Sequence, residues 1–389
     1  MAYDFATPVE RRHPEGGWAS QKWHRYGDDV LPLWVADMDF RSPPAVIDAL
    51  KARVAHGVYG YGEVPATLTE TLCQWSAHHY DWPIQPEWQQ WLPGVVPALH
   101  LAALALTEPG DGVLTVIPIY PPFLAVAERT GRLPQQAMLQ APSNPGEPWQ
   151  LDIDALEAAI TSRTRLLLWC HPHNPTGRVW HHEELAALAE LVERHDLWVV
   201  SDELHCDLLL DEGACHRPLV AAFPELAKRT ITLWAPSKTF NLAGLTSACA
   251  VIPEPALRQR FAAAAKGLLP DSNILGLVAA EAAYREGESW RQELLSVLRE
   301  HRATLEARVA DWQGVRWSAP ESTYLAWLDM REAGLDNAAP HKRLLKEAGV
   351  ALSDGAAFGC PGFVRLNFGT TASQLEAALS RMDSLLKRD

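Results

Sequence analysis

The sequence predicts an α/β protein: a large domain built on a mostly parallel sheet covered by helices, followed by a smaller α+β domain. Three observations carry this expectation. From about 65 to 285, helical stretches alternate with short apolar or β-branched runs at 112–117, 165–170, 197–201, 231–234 and 247–252, and strands alternating with helices imply βαβ units. Beyond about 285 that alternation stops, and a long charged helical stretch from Glu288 to about Trp312 leads into short strands and helices. The chain has 389 residues, 48% of them apolar, which exceeds one ordinary core.

The expected division is an N-terminal arm over 1–45 that joins the small domain, a large domain over 46–287 and a small C-terminal domain over 288–389. The arm is rich in Gly, Pro and Trp, and Leu33-Trp-Val-Ala-Asp-Met-Asp-Phe40 is its one ordered-looking segment. Pro43 to His56 reads as a helix from its early prolines and apolar spacing, ended by the loop Gly57-Val-Tyr-Gly-Tyr-Gly62. Pro93-Gly-Val-Val-Pro97 precedes a helical run over 98–106. In the small domain, strands are expected near 315–317, 323–328 and 363–368, and helices near 341–348 and 372–387. The sixteen tryptophans, many between 18 and 91, read as packing residues.

A net charge of −14 argues against a nucleic-acid partner or an anionic membrane surface, which are recognised through clustered Lys and Arg. No stretch approaches the roughly 20 apolar residues of a spanning helix, and the N-terminus lacks the apolar run of a secretion signal. Cys73, Cys170, Cys206, Cys215, Cys249 and Cys360 follow no framework spacing. They read as reduced thiols of a cytoplasmic protein.

In sheets of this kind ligands bind beyond the carboxyl ends of the strands, so the residues there are the candidates for chemistry. Gly94, Val95 and Val96 stand at a helix start, where free N–H groups and the helix dipole favour an anion. Tyr120 follows the run ending at 117, Asn174 lies in a tight turn after 170, and Asp202 and His205 follow 201. His171 and His173 invite a metal reading, but no carboxylate or cysteine recurs at ligand spacing; no metal is expected. Lys238 lies in the loop Trp234-Ala-Pro-Ser-Lys-Thr-Phe-Asn-Leu-Ala-Gly-Leu245 between two strand-like runs. Desolvation there can depress an amine pKa and expose a neutral nucleophile. Arg365, within the apolar alternation Phe363-Val-Arg-Leu-Asn-Phe368, needs an anion: an internal ion pair or the α-carboxylate of an amino acid.

Ser237-Lys-Thr-Phe-Asn-x-Ala-Gly244, with Gly94 to Val96, Asn174, Asp202 and Arg365 in order along the chain, resembles the fold-type I pyridoxal-phosphate enzymes. Together with Asp202-Glu-Leu-His-Cys-Asp207 and Trp34-Val-Ala-Asp-Met-Asp-Phe40, the likeness is to the MalY/PatB-like cystathionine β-lyases and cysteine-S-conjugate β-lyases, which border on the class I and II aminotransferases. The resemblance implies pyridoxal 5′-phosphate as cofactor, held through a Schiff base to Lys238. It implies that Gly94, Val95, Val96, Ser237 and Tyr61 bind the phosphate, with Tyr61 reaching from the other subunit of a homodimer. Asn174 would bond the phenolic oxygen, and Asp202 would keep the pyridine nitrogen protonated so that the ring accepts electrons. Tyr120 and His205 would line the cofactor pocket, and Arg365, with Asn174, would take the substrate carboxylate. Ala235 and Thr246 depart from the serine and arginine that many aminotransferases use for phosphate, and His205 replaces their tyrosine. The implied activity is β-elimination of a sulfur amino acid to thiol, pyruvate and ammonia. Transamination is the alternative, and a cofactor-binding regulatory protein is the alternative outside enzymology.

Overall fold

Strands buried on both faces need continuous apolar runs, because each side chain of the alternating pair meets a core. In the computed structural model, which describes residues 2–12, 20–144, 146–335 and 339–387, the central strands meet this requirement. Leu166 and Leu168 enter one cluster with the helix Val95–Leu106, while Leu167 and Trp169 enter another with the helix His182–Arg194. Trp18 and positions 13–19 of the expected arm lie outside the described residues.

The strands, in chain order, are β1 (Leu31–Pro32), β2 (Gln89–Leu92), β3 (Gly112–Ile117), β4 (Leu133–Met138), β5 (Thr164–Cys170), β6 (Trp198–Asp202), β7 (Thr230–Trp234), β8 (Ala248–Val251), β9 (Arg316–Trp317), β10 (Leu325–Asp329), β11 (Val350–Ala351), β12 (Ser353–Asp354) and β13 (Phe363–Asn367). The large sheet has the order β2-β8-β7-β6-β5-β3-β4. Its pairs from β7 to β4 are parallel, and β8 runs antiparallel to both β7 and β2. Two reversals restore direction, so β2 points the same way as β7. The carboxyl ends of β2, β3, β5, β6 and β7 therefore share one edge.

Two strands of the large sheet are additional to those expected from sequence, as are the two-residue strands β1, β11 and β12. β4 is an edge strand with most residues exposed, and β2 carries Gln89 and Gln90, so neither shows the apolar run of a doubly covered strand. The helix expected over 98–106 begins at Val95. The helix expected near 341–348 is α-helical over Pro340–Arg343 and widens to a π turn over Leu344–Ala348.

The small antiparallel sheet has the order β12-β13-β10-β9, and the long helix Glu288–Asp311 packs Leu294, Leu298 and Leu305 into the cluster that also holds Val364 and Leu366. The arm joins this region through β1, which pairs with β11 in parallel. The arm then crosses the large domain on polar bonds. Asn241, in the left-handed region at φ 58°, accepts from the Met38 amide at 3.0 Å and donates to the carbonyls of Met38 and Phe40. Asp39, 1% exposed, accepts from Lys22 at 2.7 Å, Trp23 at 2.8 Å and Arg11 at 3.2 Å.

Burying charge is costly unless it is paired and hydrogen-bonded. Lys22 is fully buried and Asp39 is its closest carboxylate. Asp39→Ala is expected to strand that ammonium and lower folding stability by about 3–5 kcal/mol, read as a lower urea midpoint; a loss within 1 kcal/mol, on the order of a surface change, would contradict this role.

Candidate active site

Tyr120 caps the helix that follows β3, Asn174 lies beyond β5, Asp202 ends β6, Lys238 follows β7 and Gly94 follows β2. The common strand direction thus gathers five of the candidates at one edge of the sheet. Arg365 comes from β13 of the small sheet, paired opposite Trp327 and Ser353.

Lys238 is half-buried and its Nζ donates to the carbonyl of Ala36 at 2.6 Å. Burial, then the neighbouring Arg365 charge, lowers its pKa to about 8, against the opposing pull of Asp37 and Asp202. The same carbonyl accepts from the Tyr324 hydroxyl at 3.2 Å. Asn367 Nδ2 holds the flanking carbonyls of Val35 and Asp37 at 2.6 and 2.7 Å.

Arg365 is 4% exposed. Its Nη1 donates to Asn174 Oδ1 at 3.0 Å, its Nη2 to the Trp34 carbonyl at 3.3 Å, and Nε has no partner among the described residues. The guanidinium lies 4.8 Å from the Phe358 ring centre. Burial lowers its pKa to about 10, with Tyr120 and Tyr324 opposing. The ion-pair alternative raised by the sequence is absent among the described residues, since the acceptors of Arg365 are an amide oxygen and a backbone carbonyl.

Asp202 is buried, with Oδ1 accepting from the Leu204 amide at 3.1 Å. Burial raises its pKa to about 7; the Leu204 bond and Lys238 oppose the rise, and Glu203 adds to it. His205 is buried close enough to Lys238 and Arg365 that burial first, then their charges, lower its pKa to about 3, and its Nδ1 has no partner among the described residues. Tyr120 is half-buried, its hydroxyl pKa raised mainly by burial, and its amide donates to the Asn174 carbonyl at 3.1 Å.

Lys238, Arg365 and Tyr120 line one cleft of ≈ 400 Å3 with Arg25, Tyr26 and Trp34. Phe358, His341 and Asp354 form its small-domain wall. Gly94 caps the helix Val95–Leu106 without a side-chain cap, so the Val95 and Val96 amides precede the first intrahelical donor, Ala98. Ser237 is half-buried beside Lys238, its carbonyl accepting from Leu242 at 2.9 Å.

Tyr61 is not brought to the cleft of its own chain: it is 99% exposed, next to exposed Val58 and Tyr59. His171 and His173 are spent on the carbonyls of Arg217 and Pro118, at 3.3 and 2.8 Å. Among the described residues no group of three His, Cys, Asp or Glu side chains could hold a metal.

The sequence reading missed Ala36, Trp34, Tyr324, Phe358 and Asn241. Ala36 and Trp34 act through backbone carbonyls, which no side-chain pattern reveals. The ordered look of the segment from Leu33 to Phe40 is the one signal that pointed to them.

A class of protein follows from this site and fold: the chain belongs to the class I and II aminotransferase family, whose model matches residues 28–382, and its architecture is that of the fold-type I pyridoxal-phosphate enzymes. Within that family its relatives place it in the MalY/PatB-like C–S lyase branch. It is 36% identical to the cystathionine β-lyase PatB of Bacillus subtilis (strain 168), over 97% of this chain and 99% of that protein. It superposes on the crystal structure of OvoB with a TM-score of 0.94 and 41% identity, covering 100% of both chains. Cystalysin from Treponema denticola, whose crystal structure contains pyridoxal 5′-phosphate, gives a TM-score of 0.92 and 31% identity over 99% of each chain.

The raised pKa of Asp202 has a consequence for the cofactor-free protein. A carboxyl whose folded pKa lies above its unfolded value adds stability that is full below the unfolded pKa and is lost as pH rises through the folded value. For Asp202 that window runs from about 4 to about 7. Cofactor-free Asp202→Asn is expected to melt above the wild type at pH 8, with the gap narrowing as pH falls and closing only near pH 4. Parallel melting curves across that range would contradict the burial of an uncompensated carboxyl.

Proposed function

We propose that the chain is a pyridoxal 5′-phosphate-dependent β-lyase of sulfur amino acids, releasing a thiol, pyruvate and ammonia. The observation that carries this reading is the pair of cations, Lys238 and Arg365, whose hydrogen bonds all go to neutral acceptors. An amine near neutrality and a guanidinium lacking its anion suit an amino-acid substrate.

The residues fit the cofactor. Asp202 is buried with its acidity suppressed, the condition that a protonated ring nitrogen relieves. The Val95 and Val96 amides at a helix start suit a phosphate, and cystalysin, a structural relative, holds this cofactor. When bound, the cofactor supplies a sink for the electron pair left by loss of the substrate Cα proton.

The remaining work falls to the chain. Arg365 binds the α-carboxylate through two parallel donors and fixes the Cα–H bond relative to Lys238. Lys238 Nζ, drawn to a pKa of about 8 by burial, accepts the Cα proton as a general base. The Cβ–S bond then breaks, and its electron pair leaves on sulfur as a thiolate that takes up a proton. Hydrolysis of the remaining three-carbon fragment gives pyruvate and ammonia. Asp202 stays ionised against the positive charge it faces.

The lyase relatives support elimination over transamination as the outcome. We also propose a homodimer, supported by the exposed Val58, Tyr59, Tyr61 and Leu268 on one chain, in which Tyr61 reaches the neighbouring cleft.

The test is a paired assay of thiol and pyruvate from L-cystathionine without keto acid. Equal, catalytic release of both, abolished in Lys238→Ala, is expected. Turnover that requires a keto acid would make the protein an aminotransferase instead. Arg365→Lys keeps the charge and loses the fork; about a ten- to hundred-fold fall in kcat/KM is expected, on the scale of one hydrogen bond to a charged group. An unchanged kcat/KM would remove Arg365 from carboxylate recognition.

A further inference from the structure

Breaking a Cβ–S bond puts an electron pair on sulfur, and an alkyl thiolate leaves slowly unless a proton meets it. Lys238 is engaged at that moment, because it holds the proton taken from Cα. Tyr120 lines the same cleft, but burial raises its hydroxyl pKa and makes it a reluctant donor. The guanidinium groups of Arg25 and Arg365 do not give up a proton. Of the nitrogen and phenol acids in the lining, His341 and Tyr26 remain.

His341 lies on the short helix Pro340–Arg343, which packs on β12 and on β13, the strand that carries Arg365. Its Nδ1 is buried and stands 3.3 Å from Asp354 Oδ1, at ion-pair distance but outside hydrogen-bond alignment. Asp354 is itself fixed. Its Oδ1 accepts from the Ala356 amide at 3.1 Å, and the β12–β13 register sets it opposite Val364, the neighbour of Arg365. With Nδ1 turned to the carboxylate, Nε2 is the ring nitrogen left for the cleft, and it has no partner among the described residues. A carboxylate beside one ring nitrogen and an open cleft at the other suits an imidazole that passes a proton to a reacting atom.

We propose that His341 is the catalytic acid of the elimination, giving its Nε2 proton to the departing sulfur, with Asp354 as the residue that positions it. This rests on the lyase reading above and deepens it. The electron pair of the Cα–H bond becomes the second bond between Cα and Cβ while that proton stays on Lys238. As the Cβ–S bond breaks, its pair goes to sulfur, the Nε2–H bond breaks, and the proton forms the S–H bond. His341 is left neutral and regains a proton from water once the thiol has gone. Sulfur that leaves as a thiol frees the rate from the acidity of the leaving group. Thioethers of weakly acidic alkanethiols thereby become good substrates.

The experiment uses cofactor-loaded full-length protein and three substrates, S-ethyl-, S-phenyl- and S-(4-nitrophenyl)-L-cysteine, whose leaving thiols rise in acidity in that order. His341→Ala is expected to lower the ratio of kcat/KM on the S-ethyl compound to that on the S-(4-nitrophenyl) compound by about a hundred-fold, the low end of what a positioned acid contributes. The S-phenyl compound falls between them. Free imidazole is expected to restore part of the ratio in that variant. Asp354→Asn, which keeps the acceptor for the Ala356 amide, is expected to lower the ratio in the same direction by less. A ratio in His341→Ala within about two-fold of wild type overturns the proposal, as does a fall that appears in Tyr26→Phe instead. An equal loss on all three compounds, with cofactor absorbance unchanged, overturns it too, because a structural role has that signature. Should His341→Ala fail to load cofactor, the same ratio in Asp354→Asn decides. If wild-type protein releases thiol from none of the three, the lyase reading fails and this proposal falls with it.

Discussion

Two positive side chains share one cleft, and among the described residues no carboxylate in hydrogen-bond contact neutralises either. Lys238 bonds to a backbone carbonyl, Arg365 to an amide oxygen and another carbonyl. Burial lowers the pKa of both, and the Arg365 charge lowers that of Lys238 further. Buried ion pairs in proteins are ordinarily completed from within. Here completion is left to a ligand, and the nearby carboxylate that could quench the charge, Asp202, is set behind the lysine with its own acidity suppressed.

Holding unpaired cations demands a rigid frame, and the frame comes from three distant parts of the sequence. The large sheet supplies Tyr120, Asn174, Asp202 and Lys238 from parallel strand ends. The small sheet supplies Arg365 opposite Ser353 and Trp327. The arm supplies carbonyl acceptors at Trp34 and Ala36, fixed by Asn367 from one side and Asn241 from the other. Asn241 lies three residues beyond Lys238, so the loop that carries the amine also grips the segment that accepts its hydrogen bond. The buried bonds of Asp39 with Lys22, Trp23 and Arg11 anchor that segment from outside.

The physical reason that some of this was legible in sequence, and some not, lies in what each residue uses. Strands β3, β5, β6, β7 and β8 are buried on both faces and so had to be written as apolar runs. β4 escaped because it is a polar edge, and β2 because its glutamines sit at part-buried positions. Asp202, Asn174, Lys238 and Arg365 act through side chains whose chemistry is out of place at strand ends or within apolar alternation. Trp34 and Ala36 act through main-chain oxygen, which every residue has. Tyr61 is fully exposed in one chain, where nothing tests the role expected of it. The early start of the helix at Val95 escaped because Pro97, often a helix boundary, stands in its first turn.

The claim on which the account rests is that Lys238 is the amine that carries the cofactor. Protein loaded with pyridoxal 5′-phosphate, reduced with borohydride and digested, should yield a single pyridoxyl-bearing peptide containing Lys238, with labelling that rises with loading pH through about 8 as the amine loses its proton. A label on another lysine, or none after reduction, would contradict the account.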